Sequence, residues 1–506
     1  MGDSLKKRYA YKLLTNLISL PIAVITQAII PRILGPMNYG NYSFLTGFYG
    51  SLVGFFDSGT SIALFTKLSQ RQKEKALVSF YWQFVALVLI LMLSVISVLV
   101  LIGIDRMIWP KQTVRFIFMG LFWGWLKWLF QVVQKILDAL GHTRQGEIIR
   151  MFQKSVACVL LVQLYYVGNL SLECFFYYEY GVVLVYIVSC YLYLQYNDIS
   201  LFPFVKVNHV AYVKEFYSYS GPLVFASFIA LIVNVFDRWL LQRFFGAEEQ
   251  GYFGLAYQAA AVCFLFSSAM TPIFTREFAI AHEKAELRKK RHLFMKYVPL
   301  LYFVSAFLAL FVTFNASIFV RLLGGDNYEG AVLVLAIMAF YPIHQTYGQL
   351  CGAVFYSTNA TKQYRNIRLF NMAISLPISY VLIAPVEFYG LGFAAQGLAV
   401  KMIATQLIGV NVMLYFVCKM IRLKFVKFLL QQILVIGLLL VLVVVTNYLC
   451  SLLVTHELVR LLLSGFFYLC FSLVLVFLYP KIISFRRNDL INFIVSVKER
   501  IIKTNL

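Results

Sequence analysis

Four residues inside one apolar stretch, 115–138, have the types and spacing of a binding face. Lys127 is followed by Gln131, Gln134 and Asp138 at four, seven and eleven residues, which places all four on one side of a helix. Lys127 lies about twelve residues from one end of the stretch, about 18 Å at the helical rise, too deep for its ammonium to reach either surface. Lys401 stands about ten residues into a second apolar stretch, with Thr405 one turn further on. Arg238 follows Ser227 and Asn234, and an earlier stripe of Asn16, Ser19 and Gln27 leads to Arg32. Lys154 follows Glu147 and Arg150, and Gln345, Gln349 and Tyr356 form one more polar stripe, with His344 beside it.

The chemistry open to these groups is anion binding. An ammonium or guanidinium answers a phosphate or acidic sugar through charge-assisted hydrogen bonds. A charge held near mid-bilayer costs about 2.5–3.5 kcal/mol, so it normally faces a partner or a wet cavity. A hydrated, net-positive cavity between two halves of the chain accounts for all the stripes together. For each residue alone a structural pair is the alternative: Arg238 with Asp237 or a lipid headgroup, Glu147 with Arg150 or Lys154.

The elements that must carry these residues are membrane helices. Of 506 residues 61% are apolar and 17% aromatic, whereas only 13% are charged, about half the share of a soluble domain. The net charge of +22 is spread in short runs between apolar segments, as insertion topology requires. A nucleic-acid binder gathers its cations on one face, so no nucleic-acid partner is expected. The eight cysteines lie singly, without a CxxC, and the six histidines include no HExxH, which leaves a metal site unsupported and no cofactor expected.

Apolar segments of about twenty residues, enough to cross a hydrocarbon core of about 30 Å, fall near 13–31, 40–64, 77–103, 115–138, 147–168, 172–195 and 217–242. They continue near 251–275, 294–320, 329–355, 366–386, 390–417, 426–450 and 459–480. An all-α polytopic membrane protein of about fourteen helices is expected. The first span follows Lys6, Lys7 and Arg8 as a signal peptide would, but no small-residue cleavage site follows, so it is read as retained. Cation-rich loops alternate with cation-poor ones, which places both termini in the cytoplasm. The tail from Lys481 has Leu490, Ile494, Val497 and Ile501 at helical spacing beside cations, which reads either as a basic amphipathic helix on the cytoplasmic leaflet or as a mobile charged tail.

The opening stretch returns 211 residues later. Gly35 and Gly40 of LGPMNYGNY fall on Gly246 and Gly251 of FGAEEQGYF, and the same shift puts Arg32 on Arg243, Gln27 on Arg238 and Thr60 on Thr271. Six helices separate the copies, so the halves are parallel repeats about an axis along the membrane normal. The expected organisation is two pseudo-symmetric six-helix bundles, 1–195 and 214–420, joined by a linker at 196–213, then two further helices in 421–481 and a tail over 482–506. Pro21 and Pro222 interrupt the first helix of each half and are hinge candidates, although they do not coincide under the shift. Asp57, in FFDSGT, is either a protonatable switch or the cap of a helix break at Gly59, the cap being favoured.

At these residues a resemblance enters. PRILGPMNYGNYSFLTGF, FFDSGTSIALF, FDRWLLQRFFGAEEQGYFGLAYQ and SSAMTPIFTREFA resemble the polysaccharide transporter family that includes the O-antigen flippases, within the superfamily of multidrug, oligosaccharidyl-lipid and polysaccharide exporters. The resemblance implies a V-shaped pair of six-helix bundles in the bacterial inner membrane. The substrate it implies is a sugar repeat unit on undecaprenyl pyrophosphate, with membrane lipids, a glycan polymerase and a chain-length regulator as partners. Such a cargo needs a polar path, because a sugar hydroxyl without a partner in hydrocarbon costs about 2–7 kcal/mol. Lys127, Lys401 and Arg238, with Lys154 and Arg32, are the residues expected to hold the pyrophosphate or acidic sugars, and Gln27, Gln131, Gln134, Asn234, Gln345 and Gln349 the polar residues of the path.

Three other readings remain at this stage. A multidrug exporter would favour an acid-lined aromatic cavity. A lipid II flippase would have about the same number of spans. A membrane glycosyltransferase or glycan polymerase would display acids or histidines in a sizeable external loop, and the outward loops here are short, so no enzyme is expected. No GxxxxGK[ST] phosphate loop occurs, which excludes ATP as the direct energy source.

Overall fold

A computed structural model of the chain describes residues 5–167, 171–358 and 360–484, with side chains from Ser19 onward except those of 20, 222 and 265. Among the described residues there is no strand. The helices in order are α1 (Leu5–Asp57), α2 (Thr60–Gln70), α3 (Lys75–Leu101), α4 (Asp105–Ile108), α5 (Val114–Ala139), α6 (Thr143–Val167), α7 (Leu172–Tyr196), α8 (His209–Phe244) and α9 (Ala247–Ala261). They continue with α10 (Leu265–Glu283), α11 (Leu287–Phe314), α12 (Ala316–Gly324), α13 (Ala331–Met338), α14 (Tyr341–Ser357), α15 (Thr361–Ile383), α16 (Ala394–Met420), α17 (Phe425–Leu453) and α18 (Glu457–Leu478).

Eleven helices among the described residues are long and apolar enough to cross a membrane, or twelve if the pair Ala247–Phe264 and Phe266–Glu283, bent by 48°, is one span. This count does not confirm the expected number of about fourteen. The two expected spans missing from this count, 13–31 and 40–64, fall on α1 and α2. A straight helix of 53 residues would be about 80 Å long, and α1 breaks instead at Gly35, whose φ of 67° suits a residue without a Cβ. The expected 40–64 segment is broken again at Ser58 and Gly59, both at positive φ. Beyond residue 484 the amphipathic tail lies outside the described residues.

The chain divides into two compact units, Met1–Gly254 with Leu376–Ala395, and Leu255–Ser375 with Gln396–Leu506. The first unit runs past the expected linker because α8 packs along α1: Arg238 fills the space over Gly47, and Phe55 meets Phe228 at 5.9 Å between ring centroids. Its core is strongly aromatic, with Tyr49, Tyr81, Trp109, Trp128 and Tyr186 all fully buried. A polar clamp closes one end of this unit, where Glu215 of α8 accepts from Lys67 at 2.7 Å and from Arg71 at 2.5 Å. Burial pushes the Glu215 carboxyl up, but the bond and charge of Lys67 and the charge of Arg71 outweigh it and hold the group below its ordinary range. Beside it, Tyr212 donates to Glu74 at 2.5 Å, and its hydroxyl is pushed up to about 12, first by burial and then by that carboxylate.

In the second unit α17 and α18 pack on α11. Phe307 stacks on Tyr468 at 4.5 Å, Phe294 meets Phe428 edge-on at 5.4 Å, and Tyr302 meets Tyr347 at 4.9 Å. Offset and edge contacts of this kind add about 0.5–1.5 kcal/mol each beyond the area they bury.

Candidate functional site

In the first unit Lys127 stands at the middle of its span and is ion-paired. Its Nζ lies 2.9 Å from Glu179 Oε2 on α7 and 5.3 Å from the ring centre of Trp123, one turn back on α5. Trp123 Nε1 donates to the same carboxylate oxygen at 3.1 Å, and the Trp123 ring meets Tyr42 of α1 edge-on. The Lys127 side chain is 35% exposed and that of Glu179 only 12%. Gln131 is exposed on the same helix, while Gln134 and Asp138 are half-buried.

Arg238 donates from one guanidinium nitrogen to Ser43 O and Ser43 Oγ, both at 3.0 Å, and lies 5.7 Å from the Phe253 ring centre. Its neighbour Asp237 is buried and accepts from Ser379 Oγ at 2.5 Å. Asn234 and Arg32 are exposed, Gln27 is half-buried, and the Asn16 side chain lies outside the description. Glu147 pairs with Arg150 at 2.5 Å, with Lys154 half-buried one turn above.

Asp57 is a hub. Its carboxylate accepts from five donors, Thr60 Oγ1, Ser61 N, Ser61 Oγ, Tyr81 OH and Trp128 Nε1, at 3.0–3.2 Å. The Ser61 N–H is one of the orphan donors of the first turn of α2, so Asp57 caps that helix while tying α3 and α5 to it. Pro21 is exposed on α1, and α8 runs helical through Pro222.

The second unit holds a polar cavity of about 600 Å³. Ser268, Thr271 and Thr275 line it from α10, and Gln345, Gln349 and Tyr356 from α14. Tyr364, Arg368 and Asn371 face it from α15 and Gln406 from α16. On each of the first three helices the spacing is three or four residues or a multiple, so one face of each is turned to the cavity. Glycines let the walls close in. A Cβ on Gly348 would meet the Gln345 and Gln406 amides at 3.3 and 3.2 Å, one on Gly352 the Tyr364 hydroxyl at 3.3 Å, and one on Gly409 the Asn371 amide at 2.8 Å. Gln406 donates to Gln345, Thr271 Oγ1 lies 3.5 Å from Gln349 Oε1, and the Arg368 guanidinium sits 5.7 Å from the Tyr364 ring centre.

The chain path tells which way this cavity faces. Successive crossings bring the end of α10, the end of α14, the start of α15 and the end of α16 to the same side. Tyr356, Tyr364 and Arg368 lie near that side, whereas Ser268 and Tyr341 lie near mid-span. The connections there carry Lys284, Arg288, Lys289, Lys362, Arg365 and Arg422, so the lining of the cavity runs from mid-span towards the cation-rich end of the unit.

Of the residues expected to form the site, Gln345 and Gln349 line this cavity. Lys401 is 4% exposed, within the second unit but outside the lining, and Lys127, Arg238, Lys154 and Arg32 belong to the first unit. Sequence reasoning missed Glu179, Tyr364, Arg368, Asn371 and Gln406. The stripe Tyr364, Arg368, Asn371 at four and three residues is a readable signal, obscured in the sequence by the neighbouring cations Lys362 and Arg365. Among the described residues no three His, Cys, Asp or Glu side chains gather as a metal site would require.

The fold is similar to that of solved transporters of the MOP superfamily. The chain is similar to the lipid II flippase MurJ in its inward closed conformation, with 12% identity, a TM-score of 0.69, and coverage of 93% of this chain and 99% of that one. It is similar also to an inward-facing multidrug resistance MATE transporter (14% identity, TM-score 0.61, 79% and 94% covered). A third likeness is to a MOP-superfamily transporter from Pyrococcus furiosus described by the reverse polarity of its binding pocket (15%, 0.51, 83% and 97%). No curated protein matches the sequence significantly. The profile of the family described as polysaccharide biosynthesis protein matches residues 5–278, more than half of the chain, and the chain belongs to that family.

Proposed function

We propose that the protein is a flippase that moves an oligosaccharide linked to undecaprenyl pyrophosphate, an O-antigen or similar repeat unit, across the bacterial inner membrane by alternating access. The observation that carries this reading is the polar cavity of the second unit, which reaches mid-span from a cation-rich end. By the positive-inside rule that end is cytoplasmic, as are both termini, so a head group made in the cytoplasm is drawn to the mouth by charge. Family membership and the fold shared with a lipid II flippase support the same class of cargo. In this account the six-helix bundles 1–195 and 214–420 move against each other, with Pro21 and Pro222 as hinges. Lys127, Lys401 and Arg238, aided by Lys154 and Arg32, attend the pyrophosphate, and a glycan polymerase and chain-length regulator take the product.

The test is complementation in cells lacking the gene, with surface glycan and membrane protein level both measured. Lys127→Ala and Lys401→Ala each abolish surface glycan while the protein stays in the membrane. Full glycan with both substitutions removes the cationic residues from the mechanism. Efflux of cationic dyes from vesicles, or rescue of cells lacking their lipid II flippase, would reassign the cargo within the same fold.

A further inference from the structure

We propose that the cavity of the second unit is a saccharide subsite, separate from the groups that hold the pyrophosphate; this rests on the flippase reading above. The lining decides the ligand class. Among the described residues it contains no carboxylate and a single cation, Arg368, which is exposed at the mouth. An organic cation would find no counter-charge inside, and a bare pyrophosphate would find one guanidinium at the entrance and none deeper.

The inner wall offers four amides, Gln345, Gln349, Asn371 and Gln406, together with the hydroxyls of Thr271 and Thr275. A side-chain amide carries an acceptor and two donors in one plane, which suits neighbouring hydroxyls that each give and accept. Tyr356 and Tyr364 at the mouth add apolar ring faces for the C–H face of a sugar. The volume of about 600 Å³ falls within the range of small-ligand pockets, about 300–1,000 Å³.

Two details indicate a site adapted to a polar guest. Gly348 and Gly352 bring the Gln406 amide and the Tyr364 hydroxyl against α14, where a side chain on either glycine would crowd them. Asn371 Oδ1 is buried and meets no hydrogen-bond donor among the described residues, so the amide network around the cavity is incomplete, and a modest turn of that side chain would offer the oxygen to a hydroxyl in the cavity.

The experiment uses the full chain in nanodiscs and two probes, undecaprenyl pyrophosphate without sugar and the host's own undecaprenyl-pyrophosphate oligosaccharide. Gln345→Ala with Gln406→Ala weakens binding of the sugar-bearing lipid about tenfold or more and leaves the sugar-free lipid unchanged. Thr275→Met, which narrows the cavity without removing an amide, does the same and serves if the double variant fails to fold. Equal weakening of both lipids, or weakening of neither, overturns the saccharide assignment and leaves the flippase reading standing. If the wild-type chain binds neither lipid, both readings fall.

Discussion

Gly40 and Gly251 meet at one helix crossing, and their numbers differ by the 211 residues of the internal repeat. A Cβ on Gly40 would lie 1.6 Å from the carbonyl oxygen of Ala247, and one on Gly251 would lie 2.1 Å from that of Pro36. Ala247 is itself the repeat equivalent of Pro36, so the two contacts exchange under the same shift, as residues do across a two-fold axis. Both neighbours are backbone and cannot step aside. Gly40→Ala and Gly251→Ala should each lower the melting temperature in detergent by the equivalent of about 1–3 kcal/mol or more. The double variant should cost less than the sum, because one separation of the helices admits both methyls. Full additivity would mean that the two glycines do not share a crossing.

Lys127 and Glu179 make a separable prediction. Glu179→Gln leaves a mid-membrane ammonium without its carboxylate and should destabilise, by less than the about 3–5 kcal/mol of a fully buried pair because Lys127 is partly exposed. Lys127→Met with Glu179→Gln removes both charges and should recover much of that stability without restoring surface glycan. A stable double variant that makes full glycan would reduce the pair to a structural role.

The Glu215 clamp sets a pH dependence. The carboxyl is held below its ordinary range in the folded chain, so the clamp stabilises fully above the unfolded glutamate value, about 4.3, and is lost as pH falls through the lower folded value. The melting difference between wild type and Glu215→Gln should be constant from pH 7 to about 5 and shrink below about 4. A difference that grew in acid would contradict the sign.

Asp57 is expected to behave as a cap. Asp57→Ala strands the donors of Ser61, Tyr81 and Trp128 and should unfold or strongly destabilise the chain, since each buried orphan costs about 1–3 kcal/mol. Asp57→Asn keeps an acceptor at the hub and should retain both stability and surface glycan. A stable Asp57→Asn protein with no glycan would instead favour the protonatable switch.

The helices from α3 onward were legible because membrane spans announce themselves by length and apolarity, and span boundaries such as 77–103 and 172–195 fall within a few residues of α3 and α7. The break at Ser58 and Gly59 was only partly legible, since a positive φ at a serine has no marker in composition. The glycine repeat was legible because backbone contact tolerates no other residue. Glu179 was not, because the partner of Lys127 comes from a different helix and is chosen by packing rather than by spacing. The cavity lay hidden for the same reason: Gln406 and Asn371 mean little until Gly348 and Gly409 bring their helices together.

The cavity of the second unit ends near Ser268 and Tyr341, about half-way along its helices. In the proposed account a guest loaded there would rest half-way along these helices, and loading would be a step distinct from a full crossing.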